Sequence, residues 1–135
     1  MKRKNKVYVL DAYAILAFLE EEKGGDMVRD LLDTPGIHLY ISVVNFGEVY
    51  YTILRERGRE AAEIVERDLR LSQHIHLVDA PWERAKMAGE FKARGGISYA
   101  DCFAAALAAE KDIPLLTGDK EFEKVSDKIV INWIE

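Results

Sequence analysis

The sequence predicts a three-layer α/β/α sandwich around a central, mostly parallel five-stranded sheet. Two observations lead there. Five short apolar runs carry little polar interruption, as strands covered on both faces do. Longer stretches with apolar residues at helical spacing separate them, and strands joined through helices pair in parallel by right-handed crossovers. At 135 residues, 1–135 reads as a single domain, large enough to bury about two-thirds of its unfolded surface.

In chain order, the first strand is expected over Lys6–Leu10, followed by a helix over Ala12–Glu22 with Ile15, Leu16 and Leu19 on one side. A second short helix is expected over Asp26–Leu32, then a strand over Ile37–Ile41. Ser42 and Gly58 are conventional start and stop signals for a helix over Val43–Glu56. Glu60–Leu71 places Ala61, Ile64, Val65 and Leu69 at helical spacing, and Ile75–Val78 forms the third strand. Pro81 suits the first turn of a helix over Pro81–Ala93, ended by Gly95-Gly96. An Ala-rich helix starts at Tyr99. The fourth strand is Ile113–Leu116, a short helix lies near Lys120–Lys124, and Lys128–Asn132 is the last strand.

Net charge is −5, so no global positive field advertises nucleic acid. That balance leaves a phosphate substrate open, because a bound divalent metal reverses the local sign. One cysteine, Cys102, excludes an internal disulfide framework and fits a reducing compartment. The opening MKRKNK followed by VYVL and AYAILAFL mimics a signal peptide. Asp11 interrupts its apolar core, however, and EEEK stands where a small-residue cleavage site belongs. No apolar run approaches the ~18 residues of a membrane span, and a cytoplasmic location is expected.

The carboxylates carry the chemistry. In open parallel sheets, sites form beyond the carboxyl ends of the strands. Asp11 follows VYVL and Asp119 follows LLTG, so both belong on that edge. Glu48 lies roughly 9 Å along a helix that starts from the same edge. Asp101 is in the first turn of the Ala-rich helix. Each acid alone has a plainer reading: Asp11 and Asp119 as N-caps, Ser98-x-x-Asp101 as a near capping box, Glu48 on a solvated face. Converging carboxylates, however, repel by up to ~4 kcal/mol per close pair at intermediate dielectric, and caps have no need to converge. A hard divalent cation such as Mg²⁺ or Mn²⁺ resolves that conflict. Such a site suits in-line phosphodiester hydrolysis.

In order, VYVLDAYAIL, SVVNFGEVYY, ISYADCFAAALA and IPLLTGD with Phe122 behind it resemble a PIN domain, more narrowly the VapC-type toxin ribonucleases of prokaryotic toxin–antitoxin pairs. The resemblance spans essentially the whole chain. It implies an α/β/α sandwich and an Mg²⁺- or Mn²⁺-dependent endoribonuclease whose acidic quartet maps to Asp11, Glu48, Asp101 and Asp119. It further implies Asp11 and Asp101 as the most direct metal ligands and Thr117 as a supporting hydroxyl. RNA as substrate, a cognate antitoxin and a homodimer are implied as partners. One departure stands out: many members carry Ser or Thr two residues after the first Asp, where this chain has Tyr13. A phenol there stacks on a base or merely fills space, and no catalytic role is assigned to it.

Other features weigh less. His74-Ile-His76 puts two imidazoles on one strand without a third zinc ligand at suitable spacing, and His38 reads as isolated. Arg55, Arg57 and Arg59, then Lys86, Lys92 and Arg94, either track an RNA backbone or form solvated helix faces. Tyr50, Tyr51 and Trp82 read by default as core packing. Two competing functions remain open. A phospho-acceptor receiver domain would use Asp79, Thr117 and Lys120, but leaves Glu48 and Asp101 unexplained. A catalytically inactive PIN-fold binding module fits poorly with an intact quartet.

Overall fold

Strand β1 (Val7–Leu10) is apolar on both faces: Tyr8 and Leu10 enter one core, Val9 the other. In the computed structural model, which describes residues 6–134, it accordingly takes the centre of the sheet. Residues 1–5, most of the basic opening of the apparent leader pattern, lie outside the described residues, as does Glu135. The sheet has five strands in the order β3-β2-β1-β4-β5, with β2 His38–Ser42, β3 Ile75–Val78, β4 Leu115–Thr117 and β5 Ile131–Trp133. Every pairing is parallel.

Helices cover both faces, giving the expected three layers. Ile15 of α1 (Ala12–Leu19), Val28 of α2 (Gly25–Leu32), Val49 of α3 (Val43–Arg57) and Leu69 of α4 (Arg59–Leu71) share a core with Leu10, Leu39 and Ile41. On the other face, Ala88 and Phe91 of α5 (Trp82–Arg94) and Leu107 of α6 (Tyr99–Lys111) pack with Val9 and Leu115. Residues Asp101–Ala108 of α6 are all buried, which explains the run of alanines: small side chains let the helix wedge between sheet and α5.

The chain winds outward from β1 to β2 to β3. Helices α5 and α6 then return it to β4, on the opposite side of β1. The winding direction therefore reverses between β1 and β4, the place where open α/β sheets form ligand crevices beyond the strand carboxyl ends.

Several boundaries differ from the sequence expectation by a residue or more, and four of them trace to where a backbone N–H goes or to a proline that lacks one. Helix α1 stops at Leu19 rather than Glu22, since Glu20 closes onto Leu16 O and Glu21 turns left-handed at φ 55°. Pro81 caps α5 rather than joining its first turn. Strand β4 starts at Leu115 because Ile113 N–H is spent on Ala108 O at 3.2 Å and Pro114 has none to give. Strand β5 is Ile131–Trp133 rather than Lys128–Asn132, because Lys128 N–H turns back to Val125 O at 2.9 Å.

Candidate active site

Asp11 ends β1 and caps α1, its Oδ1 accepting from Ala14 N–H at 2.9 Å. Its Oδ2 accepts from the Thr117 hydroxyl at 2.5 Å. Thr117 ends β4, next to β1, so the contact follows from the strand order. A hydroxyl donates one hydrogen bond and accepts two, and Thr117 Oγ1 also accepts from Asp119 N–H at 3.0 Å. Asp119 in turn caps the 3₁₀ helix Lys120–Val125, its Oδ1 accepting from Glu121 N–H at 2.9 Å. Capping and convergence are thus served by the same residues.

Asp101 comes from the first turn of α6, where Ser98 Oγ accepts from Asp101 N–H at 3.1 Å. A full capping box would have the Asp101 carboxylate accept from Ser98 N–H in return. Glu121 Oε1 takes that N–H instead, at 3.1 Å. Asp101, Asp119 and Glu121 each offer an oxygen, and these lie within 4.8 Å of one another. Glu48 on α3 is held by Asn45, whose Nδ2 donates to Glu48 Oε1 and to Ala100 O, both at 3.0 Å. Asn45 is 0% exposed, and its Oδ1 is the single buried side-chain polar atom without a partner among the described residues. Both contacts of its amide nitrogen are acceptors, which fixes the amide orientation.

The electrostatics fit a cation-binding cluster. Asp11 is 1% exposed, and burial above all pushes its carboxyl up to about 7. The Asp119 and Glu48 charges add to that, while the Thr117 hydroxyl and Ala14 N–H oppose it. Asp101, 8% exposed, is driven to about 8 by burial and then by Asp119, Asp11 and Glu48. Burial, with the Asp119 charge, also raises Glu48, against the Asn45 amide. No Lys or Arg makes an ion pair with Asp11, Glu48, Asp101 or Asp119 among the described residues. The donors are all oxygen, the set that Mg²⁺ and Mn²⁺ prefer over softer metals.

Asp11, Glu48, Asp101 and Asp119 thus feel one another's charge at one crevice, with Thr117 bonded to Asp11, while the oxygens within 4.8 Å of one another are those of Asp101, Asp119 and Glu121. Glu121 and Asn45 were not anticipated. The D-x-E spacing of Asp119 and Glu121 was the available signal for the first; for Asn45 there was none beyond its place one turn before Glu48. His38 is not isolated: its Nδ1 lies 2.9 Å from His76 Nε2, while His74 Nδ1 lies 3.3 Å from Ile37 O. Much of the basic set is engaged locally, Arg57 with Glu20, Arg59 with Glu63, Lys92 with Ile97 O and Arg94 with Asp127. Tyr51 and Trp82 are exposed rather than in the core. Asp79 follows β3, an edge strand remote from the β1–β4 crevice, which removes the geometric basis of the receiver reading. Burial pushes the Cys102 thiol up to about 11, so it is inert beside Asp101.

Known proteins share this architecture. VapBC2 from Rickettsia felis, solved bound to a DNA fragment from its promoter, aligns with a TM-score of 0.72 at 16% identity, covering 96% of this chain and 99% of the other. VapC20 from Mycobacterium tuberculosis, a sarcin-ricin loop cleaving toxin, aligns at 0.72 and 18% identity, covering 92% and 96%. DNA-bound VapBC from Salmonella typhimurium aligns at 0.73 and 19% identity, covering 93% and 96%. At such identities the likeness shows the fold. No curated protein matches the sequence. A family model described as PIN domain does match, over residues 8–128. From Tyr8 to Lys128, through both halves of the acidic cluster, the chain belongs to the PIN domain family.

Proposed function

We propose that this chain is a divalent-metal-dependent endoribonuclease, the toxin of a VapBC-type toxin–antitoxin pair, with residues 1–135 acting as one domain. The observation that carries this reading is the convergence of buried, unneutralised carboxylates at the β1–β4 crevice of a PIN domain. Asp101, Asp119 and Glu121 would hold Mg²⁺ or Mn²⁺, with Asp11 and Glu48 completing the negative charge around it. Bound there, the cation supplies polarisation of the scissile phosphate and acidification of the attacking water. Thr117 holds the Asp11 carboxylate toward the cluster and favours its charged form. Asn45 aims Glu48 at the same point and ties α3 to α6. Asp11 and Asp101, with pKa values near neutrality in the metal-free state, shed protons as the cation enters.

Several structural neighbours are VapBC complexes, and VapC20 is described as a cleaving toxin. They support a cognate antitoxin as partner here; a homodimer and a cytoplasmic site of action belong to the same proposal. Among the described residues, no helix is long and apolar enough to cross a membrane.

The deciding experiment is cleavage of single-stranded RNA that disappears with EDTA and returns with Mn²⁺, and that Asp101→Asn abolishes. Metal-independent cleavage, or none on any RNA offered, would sink the proposal.

A further inference from the structure

Beside the acidic cluster lies an open cavity of about 390 Å³, lined by Tyr13, Trp133, Lys23, Lys120 and Gly118, with the carboxylate of Glu123 the opposing charge. That size sits at the lower end of the range for small-ligand pockets. It shares two of its chain segments with the cluster: Tyr13 stands two residues after Asp11, and Gly118 lies between Thr117 and Asp119.

The Tyr13 ring is placed by its contact with Gly118. A Cβ on residue 118 would lie 2.4 Å from Tyr13 Cε1 and 2.9 Å from Cζ, so only glycine admits the ring this close. Tyr13 is nonetheless 43% exposed. One side of the ring is braced on backbone while the rest faces the cavity. A ring already fixed in this way loses little freedom when a ligand packs on it.

Aromatic surface and two ammonium groups beside a phosphodiester-cleaving centre match one ligand chemistry, a base carrying phosphate. We propose that this cavity is a subsite for one unpaired nucleotide flanking the scissile phosphate. Its base stacks on Tyr13, Trp133 provides further apolar wall, and Lys23 and Lys120 meet the adjoining phosphate. A paired base cannot offer its face in this manner, so the subsite selects single-stranded or looped RNA. This inference rests on the ribonuclease reading above.

The test uses Trp133 as its own reporter. The sequence holds two tryptophans, and Trp82→Phe, at an exposed position, leaves one. Nucleoside 5′-monophosphates titrated without metal should quench its fluorescence saturably. Tyr13→Ala should weaken that binding about 5- to 150-fold, the usual worth of one stacked base, and Tyr13→Phe should preserve it. On a cleaved oligoribonucleotide, Tyr13→Ala should raise KM with little change in kcat. That effect should vanish on the same oligonucleotide made abasic at the stacked position. Absent quenching, unchanged affinity in Tyr13→Ala, or an equal fall in kcat on both oligonucleotides would overturn the subsite while leaving the nuclease intact. If nucleotides bind as described but no RNA is cleaved, nucleotide binding in the cavity stands, while the nuclease reading falls and with it the place of the subsite beside a scissile phosphate.

Discussion

Thr117 and Asp11, separated by 106 residues in the chain, share a buried 2.5 Å hydrogen bond from hydroxyl to carboxylate. The same hydroxyl accepts from Asp119 N–H. One oxygen atom thus links the carboxyl ends of the two strands between which the sheet reverses its winding.

Removing that hydroxyl has a signed consequence. Thr117→Val deprives Asp11 of a bond that favours its charged form, so its pKa rises above about 7. The acid limb of the pH–rate profile should move to higher pH, with cleavage near neutrality reduced about tenfold for each pKa unit of displacement. Thr117→Ser should restore the profile. Unfolding in urea should show Thr117→Val destabilised by about 1–3 kcal/mol for the orphaned partners.

The metal-free protein should lose stability as pH rises. Asp11 and Asp101 titrate at about 7 and about 8 when folded, against about 3.9 for an unfolded aspartate. Between about pH 4 and 8 the folded state therefore binds more protons than the unfolded one, and unfolding free energy falls with pH across that window. Thermal melts in EDTA at pH 5 and pH 8 should differ by at least about 4 °C in favour of pH 5. Asp101→Asn or added Mn²⁺ should flatten the slope. A melting temperature that rises with pH would contradict the burial and mutual repulsion of these carboxylates.

Glu121→Gln separates charge from scaffold. The amide oxygen can still accept from Ser98 N–H, so the α6 start keeps its cap. Mn²⁺ affinity, read by calorimetry, should fall about tenfold or more with the melting temperature of the apo protein unchanged or raised.

Asn45 should matter although it carries no charge itself, because it holds Glu48 and Ala100 together. Asn45→Ala strands Ala100 O and Glu48 without their shared donor, which costs about 1–3 kcal/mol. Glu48 also loses a bond favouring its charge, so Mn²⁺ titrations should show weaker binding at pH 6 than at pH 8, by a wider margin than in the parent protein.

The sequence makes the sheet legible because its strands are apolar on both faces, and β1 occupies the centre that VYVL demands. Strand ends are less legible. Which backbone N–H closes a helix and which joins the ladder is decided by tertiary packing, as at Ile113 and Lys128. The acids after β1 and β4 could be read from position alone, since the carboxyl ends of parallel strands share one edge. Glu121 is not legible in the sequence because it sits in a charged stretch, KEFEK, where an exposed glutamate is unremarkable. Its distinguishing partner, Ser98 N–H, is 23 residues away in the chain. The exposed Tyr51 and Trp82 show the converse, aromatic residues at helical spacing that face water.

The reversal of strand order has a consequence during protein synthesis. Asp11, Glu48 and Asp101 leave the ribosome before the segment Thr117–Glu121 that locks Asp11 and supplies two of the clustered oxygens. A nascent chain stopped short of β4 holds most of the acids but no cleft to gather them. If the chain attacks RNA as proposed, activity waits until β4 takes its place beside β1.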